Sequence, residues 1–384
     1  MHMHATTSKV RNLEGCDVRD SEVRCLNDLC ILSSLREYPA LKGLLPILRE
    51  ILKPRKLLVV TSSQSSLAGI FQYVYSELYF FLTLIGMLRK HRNVEFLLYQ
   101  AVVPLTCLIM KLLKKRVLLF MGGSSFKARF YDSSTFFSKI RAFCMKIFES
   151  ICFKLSDKII VLSKGMVNSI GLTSHSQKVF VAPDYPHGLL TRFHSRKAFM
   201  NRDMVVGFVG NLARSKAPHL LVKSMPSVIS NFKETKLLII GDGPMRKAIE
   251  DLVRLSSIQA NVKILGRVPH VELAAYYNEM RLLVIPSYTE GLPAVALEAM
   301  TCSTPVLATP VGAIPDIITD GETGFLLNGN HPQEIAARII ELFQNPELLK
   351  KVGNNAPLSV RKTFKRSAIE SAWKNIFPAK GYGV

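Results

Sequence analysis

The chain has 384 residues, 48% apolar and 21% charged, which excludes a disordered polypeptide and leaves room for two domains. Its formal charge of +21 is concentrated between residues 51 and 200, where 22 Lys and Arg face 6 Asp and Glu. That field favours an anionic partner such as lipid headgroups or an acidic substrate, with plain solubility as the alternative. Seven cysteines (Cys16, Cys25, Cys30, Cys107, Cys144, Cys152, Cys302) include no CxxC pair; they exclude a disulfide framework and a zinc site, and fit free thiols in a reducing compartment.

Residues 1–38 are polar, lack periodicity and predict no element. The polar start also argues against a cleavable signal peptide, and His2 and His4 belong to a loose terminus rather than a metal site. "LLVVTSS" (57–63) reads as a buried strand. It is followed by an apolar run from Ser66 to Arg92, about 23 residues before its basic end and long enough to cross a bilayer. Glu77 sits at its middle, where a charge costs about 2.5–3.5 kcal/mol. A core helix, or one lying against a membrane surface, is therefore the better expectation. "VEFLLYQ" (94–100), "RVLLFMGG" (116–123), "DKIIVLS" (157–163) and "KVFVAPD" (178–184) read as strands, with helices at 104–115 and about 136–154. Short all-apolar strands alternating with helices predict a parallel sheet covered on both faces.

The polar stretch after Tyr185 breaks this pattern, and the linker is assigned to 191–204. Alternation restarts with "VVGFVG" (205–210), "KLLIIGD" (236–242), "VKILGR" (262–267), "LLVIPS" (282–287), "PVLATP" (305–310) and "GFLL" (324–327), each but the last followed directly by a helix; one from about Pro332 to Gln344 comes after it. The predicted class is α/β: two Rossmann-like, doubly wound domains facing a cleft. The expected division is a poorly defined segment 1–38, a first domain 39–190, the linker 191–204, a second domain 205–365, and a C-terminal helix within 366–384 in reach of the first domain.

In such sheets functional residues lie where strands end and helices begin. Gly210, Asn211, Arg214 and Lys216 follow one strand, and two cations beside a helix start suit a diphosphate, though a solvated basic turn would look similar. Gly241 and Gly243 permit a tight turn after the next strand. "YTEGLPAVALEAM" (288–300) places Glu290 at a helix mouth and Glu298 a turn or so inside, flanking Gly291, Leu292 and Pro293. Capping could account for Glu290 but not for Glu298, which lies too far along. A ligand with ribose, diphosphate and hexose in a row matches two carboxylates with a phosphate site between them.

The run from Val205 to Leu327, above all "PSYTEGLPAVALEAM", resembles family 4 retaining glycosyltransferases of the GT-B architecture; the first domain resembles them only weakly. The resemblance implies that Glu290 binds the donor sugar's hydroxyls, Glu298 the ribose diol and Lys216 the diphosphate. The backbone at Gly291–Pro293 would receive phosphate, and residues near Gly266 to Val268, with Arg267, would line the base pocket. It further implies retention of configuration, no bound metal or other cofactor, and a departing phosphate that itself takes the acceptor's proton. Arg214 would replace the arginine usual at Asn211; Ser303 stands where glycine is usual, and Asp316 where glutamate is. A histidine usual in the first domain is replaced by Met121-Gly122-Gly123, and the usual glycine-rich loop has only "SSQSSLAG" (62–69) as a stand-in. Gly122, Gly123 and Ser124 are the acceptor-side candidates.

The expected function is transfer of a sugar from a nucleotide-diphosphate sugar to a lipid-linked or glycan acceptor. The expected setting is cytoplasmic, peripheral on an anionic inner membrane face through the basic runs 88–92 and 111–116. The alternatives are a donor-binding or assembly protein that no longer transfers and, on charge alone, a nucleic-acid binder; no recognition module supports the latter.

Overall fold

The computed structural model describes residues 102–183 and 189–377, four earlier strands, and single positions at 45, 46, 48, 50, 82 and 85. The apolar run 66–92, the stretch 62–69 and the basic run 88–92 otherwise lie outside the described residues. Among the described residues no helix is long and apolar enough to cross a membrane.

Two sheets form the frame. The first contains β1 (Arg11–Asn12), β2 (Asp28–Ser33), β3 (Leu57–Thr61), β4 (Val94–Tyr99), β5 (Val117–Met121), β6 (Lys158–Val161) and β7 (Val179–Val181), in the order β1-β3-β2-β4-β5-β6-β7. Among the described residues of this sheet, only the β1–β3 pair is antiparallel. The second contains β8 (Val205–Val209), β9 (Lys236–Ile240), β10 (Val262–Gly266), β11 (Leu282–Ile285), β12 (Val306–Ala308) and β13 (Phe325–Leu326). Its order, β10-β9-β8-β11-β12-β13, is parallel throughout. This is the doubly wound arrangement whose strand order reverses between its first and fourth strands. Strands β5, β8 and β11 are buried at every position, which is why they read as unbroken apolar runs.

Two regions depart from the sequence reading. Residues 1–38 hold β2, an interior strand paired on both sides in the first sheet. Its apolar stretch, Leu29 to Leu32, is too short between polar neighbours to display a period. Residues Pro346–Thr363 form an 18-residue helix with Pro357 inside it. Gly353-Asn354-Asn355 and the proline mimic a loop, yet Leu349, Val352, Ala356 and Val360 bury one helical stripe. Tertiary burial outweighs a local penalty of about 3 kcal/mol for an interior proline.

The linker stretch is fastened rather than loose. Arg202 is buried and donates to the Met280 and Cys302 carbonyls and to Thr304 Oγ1. Burial pulls its pKa down to about 10, so it stays a cation at neutral pH. The helix Arg366–Ile376 packs on the first sheet. There Trp373 stacks on Phe120 at 5.9 Å and donates its indole N–H to the Pro183 carbonyl.

Candidate active site

The reversal of strand order falls between β8 and β11, and a cavity of about 260 Å³ opens at their carboxyl ends. Its walls come from Gly210 at the end of β8, Ile285 at the end of β11, the loop from Ser287 to Pro293, the helix start at Ala294 and Val295, Lys216, and Gly122 of the first domain. Of the expected site residues, Lys216, Glu290, Gly291, Leu292, Pro293, Gly210 and Gly122 thus meet in one space.

At its centre the Lys216 ammonium lies 2.7 Å from Glu290 Oε2, and the Ser287 hydroxyl donates to Glu290 Oε1 at 2.7 Å. Glu290 is only 8% exposed, so both carboxylate oxygens are matched as burial requires. Local backbone geometry sets this meeting. Ala217 is forced into the left-handed region (φ 51°) directly after Lys216, and Tyr288 donates its N–H to the Ser215 carbonyl, tying the two strand exits together. Helix Ala294–Thr301 starts here with no side-chain cap and no acid in its first turn. Its N-terminal dipole and Lys216 therefore give the cavity a positive wall.

Glu298, inside the same helix, is 5% exposed and already partnered. Its Oε1 lies 2.8 Å from His270 Nε2, and its Oε2 accepts from the Tyr277 hydroxyl at 2.8 Å. The hydrogen bond to Glu298 raises the His270 pKa above 6.5, against the opposing effect of burial. Burial also drives the Tyr277 hydroxyl well above its ordinary 10. Glu298 is thus not among the residues that line the cavity with Glu290; of its two partners, half-exposed His270 is the one open to solvent.

The glycine loops pack on one another. Gly241 has φ 136°, and a Cβ there would sit 1.8 Å from the Gly210 carbonyl oxygen. One at Gly243 would sit 2.4 Å from Asn211 Oδ1. These glycines allow the exits of β8 and β9 to touch, which shapes the floor beside the cavity. Arg214 is exposed in the turn after β8 and is not among the residues lining the cavity. Arg267 is exposed beyond β10, and Val268 packs on the core.

The first domain reaches this site through its own strand exit. A Cβ at Gly291 would lie 1.7 Å from the Gly122 carbonyl oxygen, so the two domains meet there backbone to backbone. Gly123 stands beside Gly291. Ser124 caps helix Ser125–Asp132 and donates to Glu149, a buried carboxylate that also accepts the Phe126 N–H; burial raises its pKa. The far end of that helix touches the second domain, with Asp132 accepting the Ser215 N–H at 2.7 Å and Tyr131 stacked on Tyr288 at 4.9 Å. Asp316 accepts the Gly165 N–H at 2.6 Å across the same gap.

Sequence reasoning missed Ser287, His270, Tyr277 and Glu149. Ser287, three residues before Glu290, is the one that spacing could have flagged. The others act from neighbouring helices and leave no local mark. Among the described residues no group of three or more His, Cys, Asp and Glu is placed to hold a metal ion.

Residues 191–359 match the family model described as Glycosyl transferases group 1. An uncharacterized glycosyltransferase of Methanocaldococcus jannaschii is 33% identical over 201 residues, covering 52% of this chain and 53% of the relative. The capsular polysaccharide biosynthesis glycosyltransferase CapM of Staphylococcus aureus is 28% identical over 235 residues, covering 60% and 61%. The chain thus spans little more than half the length of these relatives. Among solved structures, sucrose-phosphate synthase from Thermosynechococcus elongatus superposes with a TM-score of 0.71 at 20% identity, covering 91% of this chain and 98% of that one. Anabaena HepE in complex with UDP gives 0.66 at 15% identity, covering 91% and 99%. The fold is GT-B, two Rossmann-like domains about a cleft, as the sequence predicted.

Proposed function

We propose that this chain, which carries a Glycosyl transferases group 1 domain on a GT-B frame, is a retaining glycosyltransferase moving a hexosyl group from a nucleotide-diphosphate sugar to a glycan or lipid-linked acceptor. The observation that carries this reading is the Lys216–Glu290 pair over an uncapped helix N-terminus, at the reversal of strand order. The cavity matches the diphosphate and sugar, while the base extends toward Gly266 and Arg267. The diphosphate takes Lys216 and the first N–H groups of helix Ala294–Thr301, with Arg214 in the same short turn as Lys216. Glu290 exchanges part of its bond with Lys216 for the sugar's hydroxyls, a charge-assisted contact. His270, held by Glu298, faces the ribose end, so Glu298 acts there through its partner as well as by charge.

In the reaction the bond from the anomeric carbon to the phosphate oxygen breaks, and a bond from that carbon to the acceptor oxygen forms on the same face. The acceptor's proton passes to the departing phosphate oxygen, so no dedicated protein base is needed. Lys216 and the helix end stabilise the charge that develops on the diphosphate, the part a metal ion would otherwise play. Gly122 and Gly123 bring the first domain's backbone against this point, which supports reading that side as the acceptor's. UDP bound to a neighbour of the same fold, and the capsular polysaccharide activity named for CapM, support donor class and acceptor class respectively. The proposed setting is the cytoplasm.

A thermal-shift panel of UDP-, GDP- and ADP-sugars tests donor binding, since a ligand of the folded state raises its melting temperature. Release of free nucleotide by wild type but not by Lys216→Ala completes the test. Stabilisation by a nucleotide sugar with no hydrolysis or transfer to any glycan or lipid acceptor would instead leave a donor-binding protein. No stabilisation by any of the three would reject the reading.

A further inference from the structure

One apolar face of the first domain is turned to solvent. Helix Phe136–Leu155 precedes β6, and helix Pro104–Leu112 precedes β5; the two pack side by side on the same face of the sheet. The inward side of the longer helix buries Ala142, Cys152 and Phe153. Its outward side carries Phe136, Ile140, Phe143, Ile147 and Ile151, all exposed and spaced four, three, four and four residues apart. That is one continuous helical stripe. Phe136 and Phe137 are 75% and 77% exposed. Leu105, Leu108 and Leu112 continue the face on the shorter helix. A helix apolar on both sides is ordinarily covered on both sides, and an exposed patch of this extent marks an interaction surface.

Charge identifies what covers it. Residues 104–155 hold ten Lys and Arg against two acids. Of those acids, Glu149 is buried under Ser124 and Asp132 is bonded to the Ser215 N–H. Lys114, Arg116, Lys139 and Arg141 are exposed on the same two helices or just beyond them. A second copy of this chain would bring the same positive charge against itself, whereas an anionic surface with an apolar interior satisfies both features.

We propose that this two-helix face docks on an anionic bilayer, with the phenylalanines at its Phe136 end entering the acyl boundary and the lysines and arginines meeting the headgroups. The Phe136 end lies four residues from Asp132, whose contact with Ser215 marks the rim of the cleft. Docking there sets the acceptor side of the cleft at the membrane surface. The placing of the acceptor side rests on the proposed function, but the docking face itself does not and is tested by binding alone.

The test is flotation of the full chain with vesicles of mixed phosphatidylglycerol and phosphatidylcholine, against phosphatidylcholine alone, at low and high salt. The chain is expected to float with the mixed vesicles at low salt and to lose most of that binding in high salt. The exposed-site double substitution Phe136→Ser/Phe137→Ser should weaken binding about tenfold while leaving thermal stability unchanged. Ile147→Ser, farther along the stripe, is a second variant should the first misfold. Failure to float with the anionic vesicles overturns the proposal, as does equal binding to neutral ones. Wild-type binding by the folded variants overturns it too. So does a wild-type dimer in light scattering that the same substitutions dissociate, which would assign the face to a second copy.

Discussion

Two buried carboxylates mark the mouth and the interior of one short helix, and they are neutralised differently. Glu290, at the mouth, meets a lysine and a hydroxyl: Lys216 and Ser287. Glu298, inside, meets an imidazole and a phenol: His270 and Tyr277. A lysine partner brings a fixed ammonium, whereas histidine is the side chain whose charge changes within the physiological range. Similar burial therefore leaves one end of the helix electrostatically constant and the other tunable.

The largest effect should come from the constant end. Lys216→Ala removes the cation proposed to face the departing diphosphate and is expected to slow turnover roughly a hundred- to a thousandfold, the usual cost of one electrostatic stabiliser. Initial-rate measurements of nucleotide release check this. A loss of less than about fivefold would move the catalytic charge elsewhere, with Arg214 as the next place to look.

Ligand preference should separate the two acids. Glu290→Ala is expected to abolish the preference for a nucleotide sugar over the bare nucleotide, while Glu298→Ala weakens both about equally. Isothermal titration of each variant with UDP, GDP and their sugars reads the difference, and identical profiles would erase the distinction. Glu298→Ala carries a further cost, because it strands the fully buried Tyr277 hydroxyl at about 1–3 kcal/mol. Glu298→Gln, which keeps an acceptor for that hydroxyl, separates binding from folding.

The tunable end should show itself in pH dependence. The folded-state pKa of His270 is raised above 6.5 by its bond to Glu298. Its contribution to stability is then whole below 6.5 and is lost as pH rises through the raised value. The melting temperature of wild type should exceed that of His270→Gln at acidic pH, with the gap closing under alkaline conditions. The side chain is 53% exposed, so solvent screening keeps the gap small. A gap that widens with pH would reverse the assignment.

The second sheet was legible because burial on both faces writes its central strands β8, β11 and β12 as plain apolar runs, and because the exits carry glycines, Lys216 and Glu290 in short spacings. The first sheet was less so: β2 hides four apolar residues among polar ones, and Gly122 becomes meaningful only when Gly291 arrives against it from 169 positions away. Long-range pairs such as Glu298 with His270, or Ser124 with Glu149, cannot be read from either partner alone. Helix Pro346–Thr363 was obscured by its own glycine and proline. Gly353 has a reason that only packing supplies, since a Cβ there would sit 2.8 Å from the Ser303 carbonyl oxygen.

Ser303 sharpens the comparison at the far end of helix Ala294–Thr301, past its last turn. It has φ 57°, in the left-handed region that a residue with a Cβ adopts at a cost of about 1–2 kcal/mol. Glycine would relieve that cost and add about 0.5–1 kcal/mol of unfolded-state entropy against folding. The balance favours Ser303→Gly by about 0.5–1 kcal/mol, or roughly 1–4 °C in the melting temperature of a domain this size. Among the described residues no hydrogen bond from the Ser303 hydroxyl opposes this, while its N–H and carbonyl remain available to Met300 and the Gly353 approach after substitution. Differential scanning calorimetry decides it. A lower melting temperature for Ser303→Gly would mean that the strain is offset by a contact of the hydroxyl, and that the departure from glycine at this helix end is itself stabilising.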